Sequence, residues 1–369
     1  MTVDLKQVEF SSHSRLNTFQ TCGKLYEFEY ILKQRERKEA DHFIIGSACH
    51  KCIEMYYINE DGNINHPLDY VDIYFRDFLR SHQVGHLLGE MKAVQTDIQQ
   101  LHTRASADYK GADAIRKKGT YPKGHANYWM NPVSDHPHFT GDWKAAVEKL
   151  DLDYRTNKVD SQLRDVGKEF ATVSISTCYA EVIQILKGYK DPAFLESVEY
   201  VEFPISHRVM EGRTLKNVIN PVYLPGTNTL LNGYVDIIGK MLPELGGGIA
   251  LGDYKSSNKE VTAVEVTYHE QLNKYGWLWK QLTGSWPTHL FINNLRFGTT
   301  TLAEFSPEIA EAVIERTRQV VIAAANPQNY IRKDPFGYNS PCMTFKDGVV
   351  KDSCPHFQKC HPEVHKKLF

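Results

Sequence analysis

The chain has 369 residues, 41% hydrophobic and 24% charged, with a formal net charge of −2. That balance is ordinary for a globular protein and excludes a global basic excess as the basis of nucleic-acid binding. No apolar run reaches the roughly 18 residues of a membrane span, and the start, MTVDLKQVEF, carries an early acid and no apolar signal segment. These features predict a cytoplasmic protein with no membrane partner, long enough for two or three domains at roughly 150 residues each.

In chain order, residues 11–33 read as a short helix capped by Ser12 or Ser14, a break at Cys22 and Gly23, and a second, aromatic-rich helix. A charged run, KQRERKEADH, reads as a solvated turn. The stretch FIIGSACHKCIEMYY then reads as a helix with His50 among apolar neighbours. A lone histidine there is more often a hydrogen-bonded core residue than a metal ligand, although neutral imidazole is a common ligand. Cys49 and Cys52 form a C-x-x-C with no second copy to complete a zinc site. Small buried cysteines account for them better.

Residues 60–190 are mostly helical in pattern, as in LDYVDIYFRDFLRS and TCYAEVIQILKGY, around a polar, Gly- and Pro-punctuated stretch at 119–142. From residue 197 the pattern turns to strands: SVEYVEFPI, LNGYVDIIGKM, GGGIALGDYK, THLFINNLRF and TTLAEF. Pro243 and Gly246 to Gly248 mark a hairpin turn between the second and third. One helix, EVTYHEQLNKYGWLWKQL, interrupts the strands, and a last one, PEIAEAVIERTRQVVIAAA, leads into a tail holding Cys342, Cys354 and Cys360. The order predicts an α/β core sheet flanked by helices, with a helical insertion ahead of it.

Two acids interrupt apolar strands, Asp236 in YVDII and Asp253 in IALGDYK. A buried carboxylate is costly unless it is paired, hydrogen-bonded or bound to a cation. Asp253 and Lys255 are two apart and share a face of their strand. If Asp236 points the same way, two carboxylates and an ammonium converge, a set suited to magnesium and phosphate oxygens. D-x-K alone is more often an ion pair at a sheet end. Gln271 and Tyr275, four apart, share a helix face; they would hold a phosphate, the lysine or the water around a metal, or be polar tips on a half-buried face. Three tail cysteines leave a tetrahedral metal or an iron–sulfur cluster one ligand short, and Cys22, at a helix break, is the fourth candidate.

These pieces, in this order, resemble the RecB-like branch of the PD-(D/E)xK (restriction-endonuclease-like) nucleases, in particular its iron–sulfur members. Those include CRISPR-associated adaptation nucleases, AddB-type recombination nucleases and phage exonucleases. The opening Ser-x-Ser-x-Leu-x-x-Phe-x-x-Cys is Ser12, Ser14, Leu16, Phe19 and Cys22, followed by Tyr26 and Tyr30. G-x-x-x-H is Gly46 and His50, G-x-x-D is Gly233 and Asp236, (D/E)-x-K is Asp253 and Lys255, and Q-x-x-x-Y is Gln271 and Tyr275. A strand glutamate often precedes G-x-x-D; Glu202 is the candidate, with Glu199 close by. The chain departs from the pattern at Gly23, where proline is usual, and in the eleven residues between Cys342 and Cys354.

The resemblance implies a metal-dependent DNA exonuclease, possible partners being a helicase, a recombination protein or a CRISPR protein, in the cytoplasm of a bacterium or phage-infected cell. His50, Asp236, Asp253 and the Tyr254 carbonyl would hold Mg2+ or Mn2+. Lys255 would assist the attacking water, with Gln271 and Tyr275 steadying the site. Cys22, Cys342, Cys354 and Cys360 would hold a structural [4Fe–4S] cluster clasping the N-terminal region to the C-terminal tail. The regions would be an N-terminal helical part (1–59), a helical insertion (60–190), the nuclease core (191–305) and a C-terminal helix with its cysteine tail (306–369). Residues 104–128 carry six Lys or Arg against two Asp, with tyrosines between them, a pattern suited to a single strand with free ends and equally to a solvated loop. The rival readings are a nuclease-fold protein that binds nucleic acid without cutting it, and a zinc-stabilised interaction protein.

Overall fold

The computed structural model describes residues 9–34, 39–59, 66–93, 159–167, 170–171, 173–212, 214–336, 340–346, 349–352 and 354–368. The basic stretch 104–128 and the punctuated stretch 119–142 lie outside the described residues. Two compact units emerge, one of Met1–Arg37 with Lys190–Phe369 and one of Lys38–Tyr189.

The first unit opens with strand β1 (Glu9–Ser12) and helix α1 (His13–Thr21). Ser12 caps α1, its side chain accepting from the Arg15 amide at 3.2 Å, so one orphan donor of the first turn is satisfied. The helix ends where Cys22 turns extended, and α2 (Gly23–Tyr26) restarts it, running into a π-turn over Glu27–Ile31.

The second unit carries α3 (Asp41–Ile58), α4 (Val71–Ser81) and α5 (Ile175–Lys187). Helical spacing aligns Val71, Phe75 and Leu79 on one face of α4, all buried. Phe75 meets Tyr179 of α5 edge-on at 5.2 Å. Asp41, at the start of α3, accepts from the Ser174 amide just ahead of α5 at 2.9 Å.

Back in the first unit, β2 (Leu195–Ile205) is followed by a hairpin of β3 (His207–Glu211) and β4 (Thr214–Ile219). Then come β5 (Thr229–Met241) and β6 (Ile249–Lys255), joined through a 3-10 turn at Pro243–Leu245. The expected single helix over 265–282 is two helices, α6 (Ala263–Thr267) and α7 (Glu270–Thr283). The reason is capping. Thr262 and Glu265 form a reciprocal capping box on α6, while His269 leaves helical geometry and its Nδ1 accepts from the Leu272 amide to start α7. Strands β7 (His289–Asn294) and β8 (Thr299–Glu304) precede α8 (Pro307–Ala324). The tail forms a hairpin of β9 (Met343–Lys346) and β10 (Val349–Asp352), then α9 (Phe357–Cys360) and α10 (Pro362–Leu368).

The six-stranded sheet is mixed. β5 pairs with β1 in parallel and with β2 and β6 antiparallel; β6 pairs with β7 in parallel and β7 with β8 antiparallel. Leu231, Val235, Leu251, Leu290 and Ile292 from the sheet pack with Leu272, Tyr275, Leu278, Ala310 and Ile314 from α7 and α8. Among the described residues no helix is long and apolar enough to cross a membrane.

Candidate functional site

The ladder between β5 and β6 runs from Lys240 opposite Ile249 to Ile237 opposite Gly252, and stops there. One step further, Asp236 and Asp253 stand across from each other and project to the same face. In place of the next ladder bond, Asp236 Oδ2 accepts from the Tyr254 amide at 2.9 Å. The Lys255 ammonium lies 2.5 Å from Asp253 Oδ2, with Asp253 buried and Lys255 about one-third exposed.

On the other edge of β5, Val201 pairs with Ile237 and Phe203 with Val235, which puts Glu202 opposite Asp236. The two side chains offer carboxylate oxygens within 4.8 Å of each other. Glu202 adopts a left-handed backbone with φ of 50°, a strain that a non-glycine residue bears mostly where function uses it. Glu199 instead accepts from Ser197. Sequence spacing did not separate these two glutamates; register does.

Burial, and then the neighbouring Asp253, push the Asp236 carboxyl well above the usual carboxylate range, against the Tyr254 amide and Lys255. Crowded, buried carboxylates of this kind are relieved by a hard divalent cation, so the donor set fits magnesium or manganese.

Gln271 and Tyr275 lie on the first turns of α7, and Gln271 Nε2 donates to the Tyr275 hydroxyl at 2.9 Å. Burial raises the Tyr275 phenol, with Asp236 and Asp253 adding to the effect, so its hydroxyl stays protonated beside them. A Cβ on Gly233 would lie 3.0 Å from that hydroxyl. Gly233 is thus the floor on which Tyr275 rests, and the G-x-x-D and Q-x-x-x-Y residues form one packed unit.

His269, Lys274 and His13 also belong to this region. Burial lowers His269, while Asp253 opposes and Lys255 assists. Lys274 Nζ donates to Glu270 at 2.7 Å and lies 3.2 Å from His13 Nδ1. Burial, then Lys274, push His13 down to about 4. This network ties α7 to α1, and only the i,i+4 spacing of Glu270 and Lys274 hinted at it.

The profile of the PD-(D/E)XK nuclease superfamily matches residues 11–344. The chain belongs to that superfamily. No curated protein matches it. Membership implies metal-dependent nuclease chemistry and a nucleic-acid substrate, for which Glu202, Asp236, Asp253 and Lys255 are a suitable donor set.

Two further features of this PD-(D/E)XK chain are His50 and the tail cysteines. His50 sits half-buried on α3 in the second unit, one residue from the fully buried Cys49 and two from the fully buried Cys52. Burial raises the Cys52 thiol to about 12, as expected of an inert core cysteine. In the first unit, the long gap in the tail is a hairpin. Met343 pairs with Asp352 at its open end, and Cys354 N donates to Cys342 O at 3.4 Å. Cys342 and Cys354 pack with Met343, Phe357 and Leu25 of α2. Burial raises Cys354 to about 11, with Cys342, Cys360 and Cys22 contributing. Cys360 is raised by burial, then by Cys22 and Cys342. A Cβ on Gly23 would lie 2.2 Å from Asn329 O, so the residue in the usual proline position lets the two chain ends meet backbone to backbone.

Proposed function

We propose that the chain is a divalent-metal-dependent deoxyribonuclease, an exonuclease acting on single-stranded ends in DNA recombination, repair or phage DNA processing. The observation that carries this reading is the convergence of Glu202, Asp236 and Asp253 beside Lys255 where the β5–β6 ladder opens. Asp236, Asp253, Glu202 and the Tyr254 carbonyl are the proposed holders of magnesium or manganese, and His50 joins them on the strength of its G-x-x-x-H motif. The ion, when bound, supplies acidification of water and charge neutralisation at a phosphoryl oxygen. Lys255 orients the attacking water and offsets charge developing on the phosphate. Tyr275, a buried neutral phenol, stays a hydrogen-bond donor at neutral pH, and Gln271 fixes its ring.

Cys22, Cys342, Cys354 and Cys360 are the proposed ligands of a structural [4Fe–4S] cluster. What supports this is the chemistry of the set: four thiols at the meeting point of the chain ends, three of them raised by burial with the others nearby. Four neighbouring thiolates suit a cluster. Its role is to clasp the ends, since the carboxylates lie elsewhere in the unit. A helicase, recombination or CRISPR partner is consistent with such a nuclease.

The test is degradation of end-labelled DNA with magnesium or manganese. Folded wild-type protein digests it; Asp253→Ala and Lys255→Ala each lose digestion while retaining most DNA binding. Wild-type-like digestion by a folded Asp253→Ala protein would sink the reading.

A further inference from the structure

β5 is the best-paired strand of the sheet, and its flanking residues Leu230, Leu231, Val235, Ile237 and Ile238 are all buried. Tyr234, in the middle of it, is 40% exposed. A large aromatic ring left open on a central strand calls for something to cover it.

Its position says what. Tyr234 and Asp236 are two apart on β5, and burial, then the nearby Glu202 carboxylate, raise the Tyr234 phenol. Tyr234 pairs with Pro204 and Asp236 stands opposite Glu202, which puts the ring next to the carboxylates along the same two strands. The separation is roughly 6.7 Å along the strand, within reach of the base attached to a phosphate held at Asp236.

The ring is also held. His207 Nδ1 hydrogen-bonds the Tyr234 hydroxyl, and the two rings meet edge-on at 5.6 Å. His207 opens the β3–β4 hairpin, whose base is fixed from both sides. Ser206 and Asn220 both take left-handed backbones, with φ of 48° each. The Ser206 amide donates to Asn220 O at 2.8 Å, Asn220 Nδ2 donates to Pro204 O at 2.7 Å, and Ser206 Oγ accepts from the Val222 amide at 2.9 Å. Strained backbone locked by hydrogen bonds is what a pre-organised contact requires.

We propose that Tyr234 is a stacking platform for one unpaired nucleobase of the substrate strand, positioned by His207, and that it sets the register of the strand over Glu202 and Asp236. This rests on the nuclease reading and narrows its substrate class. A base inside a duplex has both faces covered by its neighbours, so an exposed ring can stack on an unpaired base or on the open face of an end pair, but not on an internal one. Base–aromatic stacking is tolerant of sequence, so the platform selects strandedness and spacing rather than a base.

The experiment uses a single-stranded oligonucleotide carrying 2-aminopurine at successive positions from either end, with calcium as the sole divalent ion. Stacking on Tyr234 should quench the fluorescence at one or two positions. Tyr234→Phe keeps the quench. Tyr234→Leu and Tyr234→Ala lose it and bind roughly tenfold more weakly, the scale expected of one lost stacking contact. His207→Ala shows a partial loss. A blunt duplex labelled at internal positions shows no Tyr234-dependent quench. With magnesium, Tyr234→Leu raises KM more than it lowers kcat.

Equal quench and affinity in wild type and Tyr234→Leu would overturn the proposal, as would wild-type protein that binds no single strand. Absence of cleavage by the wild type is a separate outcome: it removes the nuclease reading, while the quench still decides the role of Tyr234. Melting curves of the variants are measured alongside, and Tyr234→Leu preserves bulk if Tyr234→Ala fails to fold.

Discussion

Gly233→Ala tests whether the strand motif and the helix motif work as one unit. The new methyl would lie 3.0 Å from Tyr275 Oη and 3.1 Å from its Cε1, inside the roughly 3.5–4.0 Å of a relaxed contact. Tyr275 has little room to retreat, being 6% exposed and held by Gln271 at 2.9 Å. Overpacking of this kind costs about 1–3 kcal/mol. Alanine also lowers the entropy of the unfolded chain, which returns about 0.4–1 kcal/mol. The net loss of about 1–2 kcal/mol corresponds to a fall in Tm of roughly 2–8 °C for a unit of this size. Activity should fall further than stability, by about tenfold or more, because displacing the ring shifts the floor beside Asp236 and small misplacements are expensive in rate. The assay pairs differential scanning fluorimetry with DNA digestion for Gly233→Ala, Tyr275→Leu and the double variant. Relieving the clash should make the double variant more stable than the sum of the single effects, with a coupling of about 0.5 kcal/mol or more. A Gly233→Ala protein that melts and cuts like wild type, or strictly additive effects, would refute the packing argument.

Two further outcomes concern the rest of the unit. His13 is held near 4 by burial and Lys274, so the native state binds fewer protons than the unfolded chain between about 4 and the ordinary 6.5. Stability should therefore fall as pH drops through that window. The full shift would be worth roughly 3 kcal/mol, but His13 is 31% exposed and screening reduces this to about 1–2 kcal/mol. Urea unfolding at pH 7 and pH 5 should show the loss in wild type and less of it in His13→Gln; equal slopes would remove His13 from the account. For the cysteines, iron and acid-labile sulfide are measured on anaerobic protein. Cys22→Ala, Cys354→Ala and Cys360→Ala should be pale and aggregation-prone, and Cys49→Ala, Cys52→Ala and Cys178→Ala should stay brown. Zinc without sulfide would replace the cluster by a single ion, and a brown, stable Cys342→Ala would show that the tail hairpin delivers no ligand.

Much of this protein is written in short-range pattern. Apolar runs rich in Ile, Val, Leu and Tyr mark β5 and β6, and the acids inside them, Asp236 and Asp253, stand out because a carboxylate in an apolar strand needs a reason. Helical spacing places Gln271 with Tyr275, and Val71 with Phe75 and Leu79, because residues four apart lie on one helix face whatever the fold. Choices between equivalent local options were illegible. Glu199 and Glu202 look alike in sequence, and only the pairing of β2 with β5 sets Glu202 against Asp236. The β3–β4 hairpin escaped notice because its polar, half-exposed strands carry little hydrophobic signal. The break between α6 and α7 lacks proline or glycine and depends on a histidine acting as a cap. Eleven residues between Cys342 and Cys354 read as a gap until β9 and β10 fold them back, bringing the two cysteines together. The cap on α7 is a local bond from a residue type that does not announce the role. Register and hairpin closure join residues by hydrogen bonds between strands, and those bonds exist only once the partner strand is in place.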